Sequence, residues 1–177
     1  LCGHYWGTDF SATALEGIHQ QLAHRKKEER AQAAITLLQR QADDFSGFPE
    51  GQVDTVLLNS VVQYFSDVTY LRRVLEGALS LVAPGGRIII GDVRSLPLLE
   101  AFHANVQFYR ASGTLTRRHL WQQVQRQLEQ EKELVIDPTF FRNWAQATGR
   151  IWRVEVRLKG GRQHNELTQF RYQVVLH

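Results

Sequence analysis

Val53–Gly91 reads VDTVLLNSVVQYFSDVTYLRRVLEGALSLVAPGGRIIIG, and the fold is decided there. Val53–Asn59 (VDTVLLN) opens as a strand in which Val56, Leu57 and Leu58 run without a polar break. That pattern predicts a strand buried on both faces of a parallel sheet. Val68–Val82 then sets Leu71, Val74, Leu75, Ala78, Leu79 and Val82 at helical spacing. Ala83-Pro84-Gly85-Gly86 stops the helix, and Arg87–Gly91 (RIIIG) returns at once to strand character. Strand, helix and strand in this order predict an α/β sheet.

Working upstream, His4–Asp9 (HYWGTD) is a short aromatic-rich strand followed by Phe10-Ser11. Ser11 is placed to cap a helix whose Leu15, Ile18 and Leu22 share one face. Arg25–Arg30 (RKKEER) reads as a solvated face or an exposed turn, Ile35–Gln41 (ITLLQRQ) as a second strand, and Gly47–Gly51 (GFPEG) as a turn. Downstream, Leu96–Arg110 and Thr116–Lys132 read as helices, Asp137-Pro138 as a break, and Thr139–Ala147 as a short helix. Two final β-like runs, Ile151–Leu158 and Leu167–Leu176, flank the loop Lys159–Asn165 (KGGRQHN). Val154, Val156 and Leu158 alternate with Arg153, Glu155 and Arg157, which predicts an antiparallel hairpin on the sheet's edge.

The 177 residues, 43% of them apolar, suffice for one domain with a real core. No apolar run reaches the length of a membrane span, and no signal-peptide pattern opens the chain. The single cysteine, Cys2, excludes a disulfide scaffold and a cysteine-rich metal site, so a cytoplasmic setting is expected. The net charge of +3 is too mild for a nucleic-acid binder. From Leu134 onward seven Lys/Arg stand against three Asp/Glu, a balance that would suit an acidic protein partner. The chain begins with Leu1 and contains no methionine, which reads as a piece of something longer.

Ligands of doubly wound folds bind outside the carboxyl ends of the strands. The first strand delivers Asp9, the second Asp43 and Asp44, the third Asn59, Ser60 and then Gln63, and the fourth Asp92 and Arg94. Carboxylates at adjacent strand ends suit a nucleoside, since one accepts both ribose hydroxyls and another the adenine amino group. An Asp after a strand is equally a helix cap, and the case rests on several strand ends being polar together. The seven histidines show no HxxxH or HxH spacing, so no metal is expected, and no nucleophile elbow surrounds Ser60.

YWGTDFSATAL, RQADDF, VDTVLLNSVVQYFSD, LVAPGGRIIIGDVRS, IDPTFF and NELTQFRYQVVLH together resemble the N-methyltransferase domains embedded in nonribosomal peptide synthetases. The resemblance runs over essentially the whole chain. It implies a Rossmann-like class I methyltransferase, α/β, with a mostly parallel sheet and a C-terminal antiparallel hairpin. A single domain over residues 1–177 is expected, with residues 96–148 as a helical, substrate-side insertion. The implied cofactor is S-adenosylmethionine. The implied partners are a carrier protein whose phosphopantetheine holds an aminoacyl thioester, and a flanking adenylation domain. By the resemblance Asp9 grips the ribose, Asp43 or Asp44 the adenine, and Asn59 and Ser60 the methionine part. Phe10 either packs near the adenine or belongs to the core.

Such domains carry a first strand and glycine-rich turn upstream of the YWGTD stretch, where this chain has only Leu1-Cys2-Gly3-His4. The expectation is therefore a domain lacking that strand and turn at its N-terminus, with weakened cofactor binding. For the reaction, an aminoacyl amine needs an oriented acceptor rather than a strong base. Gln63, Asp92 and Glu166 are the candidates. In related carbon-methylating domains of polyketide synthases the positions resembling Gln63 and Asp92 hold a catalytic His and Glu. Glutamine cannot act as a base, which favours an amine over a carbon acid. Glu166 either orients the amine or pairs with Arg171. Arg142, Arg150, Arg153, Arg157 and Arg162 either meet an acidic carrier or are solvated edge charge. The alternatives are carbon or oxygen methylation and a non-catalytic scaffold of the same fold.

Overall fold

A computed structural model describes residues 2–24 and 34–177, so the charged stretch Arg25–Arg30 lies outside the described residues. The chain divides into two compact units, Leu1–Phe48 and Pro49–His177.

In the first unit β1 (His4–Asp9) and β2 (Ala34–Gln39) pair in parallel, from His4 opposite Ala34 to Asp9 opposite Gln39. The expected second strand thus ends two residues early. Between them lies α1 (Ala12–His24), capped by Ser11, whose Oγ accepts the Ala14 amide at 3.2 Å. Leu15 of the expected stripe is buried, but Ile18 is exposed, so the apolar face is only partly used. Trp6 meets the edge of Phe48 at 6.1 Å and carries His4 stacked on it at 3.9 Å.

The second unit contains β3 (Val53–Asn59), α2 (Val68–Leu81), β4 (Val82–Ser95), α3 (Leu99–Arg110), α4 (Arg117–Glu129), β5 (Val135–Ile136), α5 (Thr139–Thr148), β6 (Val154–Leu158), α6 (Glu166–Gln169) and β7 (Arg171–Leu176). The sheet order is β3-β4-β7-β6, with short β5 pairing the far end of β4. β3 and β4 are parallel, while β7 runs antiparallel to both β4 and β6, which gives the expected terminal hairpin. Asp67 starts α2 by accepting the Tyr70 amide at 2.8 Å. One face of α2 then buries Leu71, Val74, Leu75, Ala78 and Leu81, in a core that includes Ile88, Ile90, Phe141, Val174 and Leu176. Gly149, with φ 63°, ends α5 in the left-handed conformation that favours glycine.

Three expectations are corrected. β3 is not buried on both faces: Leu57 is 57% exposed, and among the described residues of its sheet β3 is an edge strand paired with β4. β4 does not end at Gly91. It continues through Asp92 and Arg94 because β5 and β7 extend the ladder there, pairing Arg94 with Val135 and with Arg171. Leu167–Gln169 is helical rather than extended, because Asn165 and Thr168 form a reciprocal capping box that starts α6. Among the described residues no helix is long and apolar enough to cross a membrane.

Candidate functional site

Asn59 and Ser60 stand at the carboxyl end of β3, level with Gly91 and Asp92 of its parallel neighbour β4. Both Ser60 and Asp92 hold left-handed backbone, with φ 56° and 61°. Non-glycine residues rarely adopt that region, and they concentrate at functional sites when they do. The two side chains meet: Ser60 Oγ donates to Asp92 Oδ2 at 2.6 Å. Asn59 Nδ2 in turn donates to Ser60 Oγ at 3.2 Å. A Cβ on Gly91 would stand 2.1 Å from Asn59 Oδ1, so the absence of a side chain there is what lets Asn59 lie across β4.

The other oxygen of Asp92 is taken as well. Lys159 Nζ, from the residue just after β6, donates to Asp92 Oδ1 at 2.6 Å. Burial alone would raise the Asp92 pKa. The hydrogen bonds from Lys159 and Ser60, with the charges of Lys159 and Arg171, outweigh it and hold the carboxyl below its ordinary range. Asp92 is thus a carboxylate with one donor on each oxygen, Ser60 Oγ on Oδ2 and Lys159 Nζ on Oδ1.

Gln63 sits in the 3-10 turn Val62–Tyr64 that follows β3 and is buried. Its Nε2 donates to the Ser60 carbonyl at 3.1 Å. Its Oε1 is buried without a hydrogen-bond partner among the described residues. Exchanging the amide's oxygen and nitrogen would set two acceptors against each other, so the Ser60 carbonyl fixes the orientation. An unmade acceptor of this kind costs about 1–3 kcal/mol, and such a group calls for a ligand, a water or a role.

Glu166 is not brought into this cluster. Its Oε1 accepts from Arg171 Nη2 at 2.6 Å and Nε at 3.0 Å, which is the pairing alternative foreseen in the sequence. It belongs to a second network around buried Arg94, whose Nη1 reaches Glu131 at 2.8 Å and Glu133 at 3.1 Å. His103 closes that network on Glu131 at 3.1 Å, and Phe102 lies beneath the Arg94 guanidinium. Burial opposes the Glu131 charge, but the Glu133 amide and Arg94 bring its pKa below the ordinary value. An open groove of about 650 Å³ borders Glu166, between Phe102 and Tyr109 on α3 and Phe170. A cavity of about 320 Å³ lies at the opposite end of the strands, lined by Val82, Gly85, Arg150, Trp152 and His177, away from the candidate catalytic and cofactor residues.

In the first unit, Asp9 Oδ1 accepts the Ser11 amide at 2.7 Å, just ahead of α1. Asp44 is engaged by its own turn: Ser46 Oγ donates at 2.6 Å and the Ser46 amide at 3.1 Å, and these bonds lower its pKa. Asp43 lies in the same turn, half-buried. Phe10 is 70% exposed, which removes the reading of it as core. Within the first unit, the carboxylates at the end of β1 and after β2 have the chemistry to accept from the hydroxyl and amino groups of a nucleoside.

Lys159 was not legible in the sequence. It lies 67 residues from Asp92, ahead of two glycines that signal only a loop, and no spacing joins the two. The hairpin register, with Leu158 opposite Tyr172, brings it there.

A family model described as "Methyltransferase domain" matches residues 1–88. Chondramide synthase cmdD of Chondromyces crocatus is 50% identical over 97% of this chain, which covers 4% of that protein. The beauvericin nonribosomal cyclodepsipeptide synthetase of Beauveria bassiana is 38% identical over 76% of this chain, again 4% of its own length. The chain thus spans a small fraction of the synthetases it matches. Among solved structures, the N-methyltransferase NodS from Bradyrhizobium japonicum WM9, in complex with S-adenosyl-L-homocysteine, aligns with a TM-score of 0.57 at 13% identity, covering 97% of this chain and 64% of that one. With the mixed α/β sheet and the polar strand ends, these matches place the chain in the methyltransferase-domain family, as a Rossmann-like methyltransferase domain of the kind carried by nonribosomal peptide synthetases.

Proposed function

We propose that the domain transfers a methyl group from S-adenosylmethionine to the amine of an aminoacyl thioester held on a carrier protein. One observation carries the reading of the acceptor: among the described residues, the cluster at the ends of β3 and β4 offers a buried acceptor without a hydrogen-bond partner, Gln63 Oε1, beside a carboxylate, Asp92, already tied to Ser60 and Lys159. The cofactor supplies a sulfonium-bound, electrophilic methyl. Asp9 holds the ribose, Asp43 or Asp44 the adenine, and Asn59 and Ser60 the methionine part. Phe10, exposed beside Asp9, covers the adenine.

In the transfer the N–C bond forms as the S–C bond breaks, and the nitrogen then sheds one proton to water. An amine already carries its lone pair once neutral, so the chain has only to aim it. Gln63 Oε1 accepts one N–H of the incoming amine and turns the lone pair away from itself toward the methyl. Because Gln63 Nε2 is held by the Ser60 carbonyl, that acceptor is fixed before substrate arrives. Asp92 acts by holding Ser60, and Glu166 by holding Arg171 at the rim of the groove.

Residues 96–148 form the substrate side in this reading. The carrier approaches the arginine-bearing end of the chain, a flanking adenylation domain loads it, and the setting is cytoplasmic. Support comes from the kinship with synthetases and from the resemblance of the motifs. The test is to incubate the full chain with methyl-labelled cofactor and an aminoacyl-loaded carrier, then hydrolyse the thioester. The expected product is a labelled N-methyl amino acid. Label on carbon or oxygen, or none, overturns the proposal.

A further inference from the structure

Asp92 has 4% of its side chain exposed, and a buried carboxylate needs its charge answered. The charged groups facing it are Lys159, from the loop after β6, and Arg171, on β7. Only Lys159 touches it, and that contact comes from a chain segment outside the β3–β4 pair that builds the cluster. The carboxylate is thereby clamped between two donors at 2.6 Å, Lys159 Nζ on one oxygen and Ser60 Oγ on the other.

The clamp reaches further. Ser60 Oγ is held by Asp92, while the carbonyl of the same residue is the anchor of Gln63 Nε2. Ser60 and Asp92 both have left-handed backbone, which persists only where surrounding contacts over-determine it. A continuous line of contacts therefore runs from Lys159 through Asp92 and Ser60 to the unpartnered Gln63 Oε1.

We propose that Lys159 is a positioning residue of the methyl-transfer site: its ammonium pins the Asp92–Ser60 pair, and through it the orientation of Gln63, while keeping Asp92 out of proton transfer. The inference rests on the proposed amine methylation only for its catalytic readout. Its structural part stands on the contacts themselves. Without the ammonium, Asp92 is a buried charge with one neutral donor, so its pKa rises and the strained pair relaxes. The side chain of Lys159 is 27% exposed, so it can be exchanged without opening the core.

The full chain is compared with Lys159→Ala, Lys159→Arg and the double variant Lys159→Ala/Asp92→Asn. Lys159→Ala is expected to lose roughly tenfold in kcat while KM for the cofactor stays within about twofold, because aim is lost and not affinity. Lys159→Arg is expected to keep most of the rate, and Asp92→Asn to recover part of the Lys159→Ala loss by removing the uncompensated charge. The Tm gap between wild type and Lys159→Ala should be wide at neutral pH and narrow in acid, closing only once pH falls below the lowered pKa of Asp92 in the wild type, where the carboxyl is protonated in both. A merely structural loop lysine would give a pH-independent gap and no recovery. Unchanged kcat with a pH-independent gap, or simple additivity in the double variant, overturns the proposal.

The wild-type chain gives a reading that needs no variant to fold. Under limiting acetylation Lys159 should react more slowly than exposed Lys132; equal reactivity means the ion pair is not held and overturns the proposal. Absence of methyl transfer in the unsubstituted chain would overturn the proposed function and leave the clamp to stand or fall on the labelling and on the Tm gap.

Discussion

Gln63 is the residue on which the proposed chemistry turns. Its Oε1 is desolvated and unpaired, a state that a purely structural glutamine would exchange for an apolar side chain. Gln63→Leu removes this acceptor and the bond to the Ser60 carbonyl together, so the two stability effects oppose each other. Stability should change by no more than about 1 kcal/mol by chemical denaturation, while kcat falls roughly tenfold or more. Gly91 makes the opposite case. A Cβ there would stand 2.1 Å from Asn59 Oδ1, too close to keep, so Gly91→Ala must swing Asn59 aside. Because the atom met is the end of an exposed, flexible side chain, the expected cost in stability is under about 1 kcal/mol, with the effect showing as weakened cofactor binding by calorimetry.

At the scale of elements, β7 ties the second unit together. It lies between β4 and β6, and buried Tyr172 donates its hydroxyl to the Ile136 carbonyl of β5 at 2.9 Å. Burial pushes the phenol well above its ordinary pKa, so it stays a donor across the working range. Tyr172→Phe leaves a carbonyl without its partner and should cost about 1–3 kcal/mol in denaturant melts. The alternation of Val154, Val156 and Leu158 made the hairpin legible, as the helical spacing of Leu71, Val74, Leu75 and Ala78 made α2 legible. Both patterns repeat within a few residues, and local periodicity is what a sequence displays. The extension of β4 past Gly91 was not legible, since its partners Val135 and Arg171 lie some 40 and 77 residues away in the chain. The cluster was half legible for the same reason. Asn59, Ser60, Gln63 and Asp92 follow from strand ends, whereas the Lys159 contact and the capture of Glu166 by Arg171 are facts of tertiary placement.

At the scale of the whole molecule, the carboxylates that organise the second unit have lowered pKa values, Asp92 and Glu131 among them. A carboxyl whose folded pKa lies below its unfolded value contributes stability above the unfolded value and loses it as pH falls through the folded one. Tm should therefore hold from neutrality down to about pH 5 and drop below about pH 4. In the Glu131→Gln variant, which leaves Arg94 with Glu133, that acid drop should be shallower. A Tm profile of identical shape in variant and wild type would show that Glu131 carries none of it.

The measurement that bears most directly on base-free amine methylation is the pH dependence of single-turnover methyl transfer, taken with carrier-bound amino acids whose amines differ in basicity. If Gln63 aims an amine that is already nucleophilic, the rate rises through a single ionisation, and its midpoint moves with the basicity of the substrate amine. A midpoint that stays fixed as the amine is changed would reveal a titrating group of the protein doing the deprotonation, and would contradict the assignment of Gln63 and the clamped Asp92.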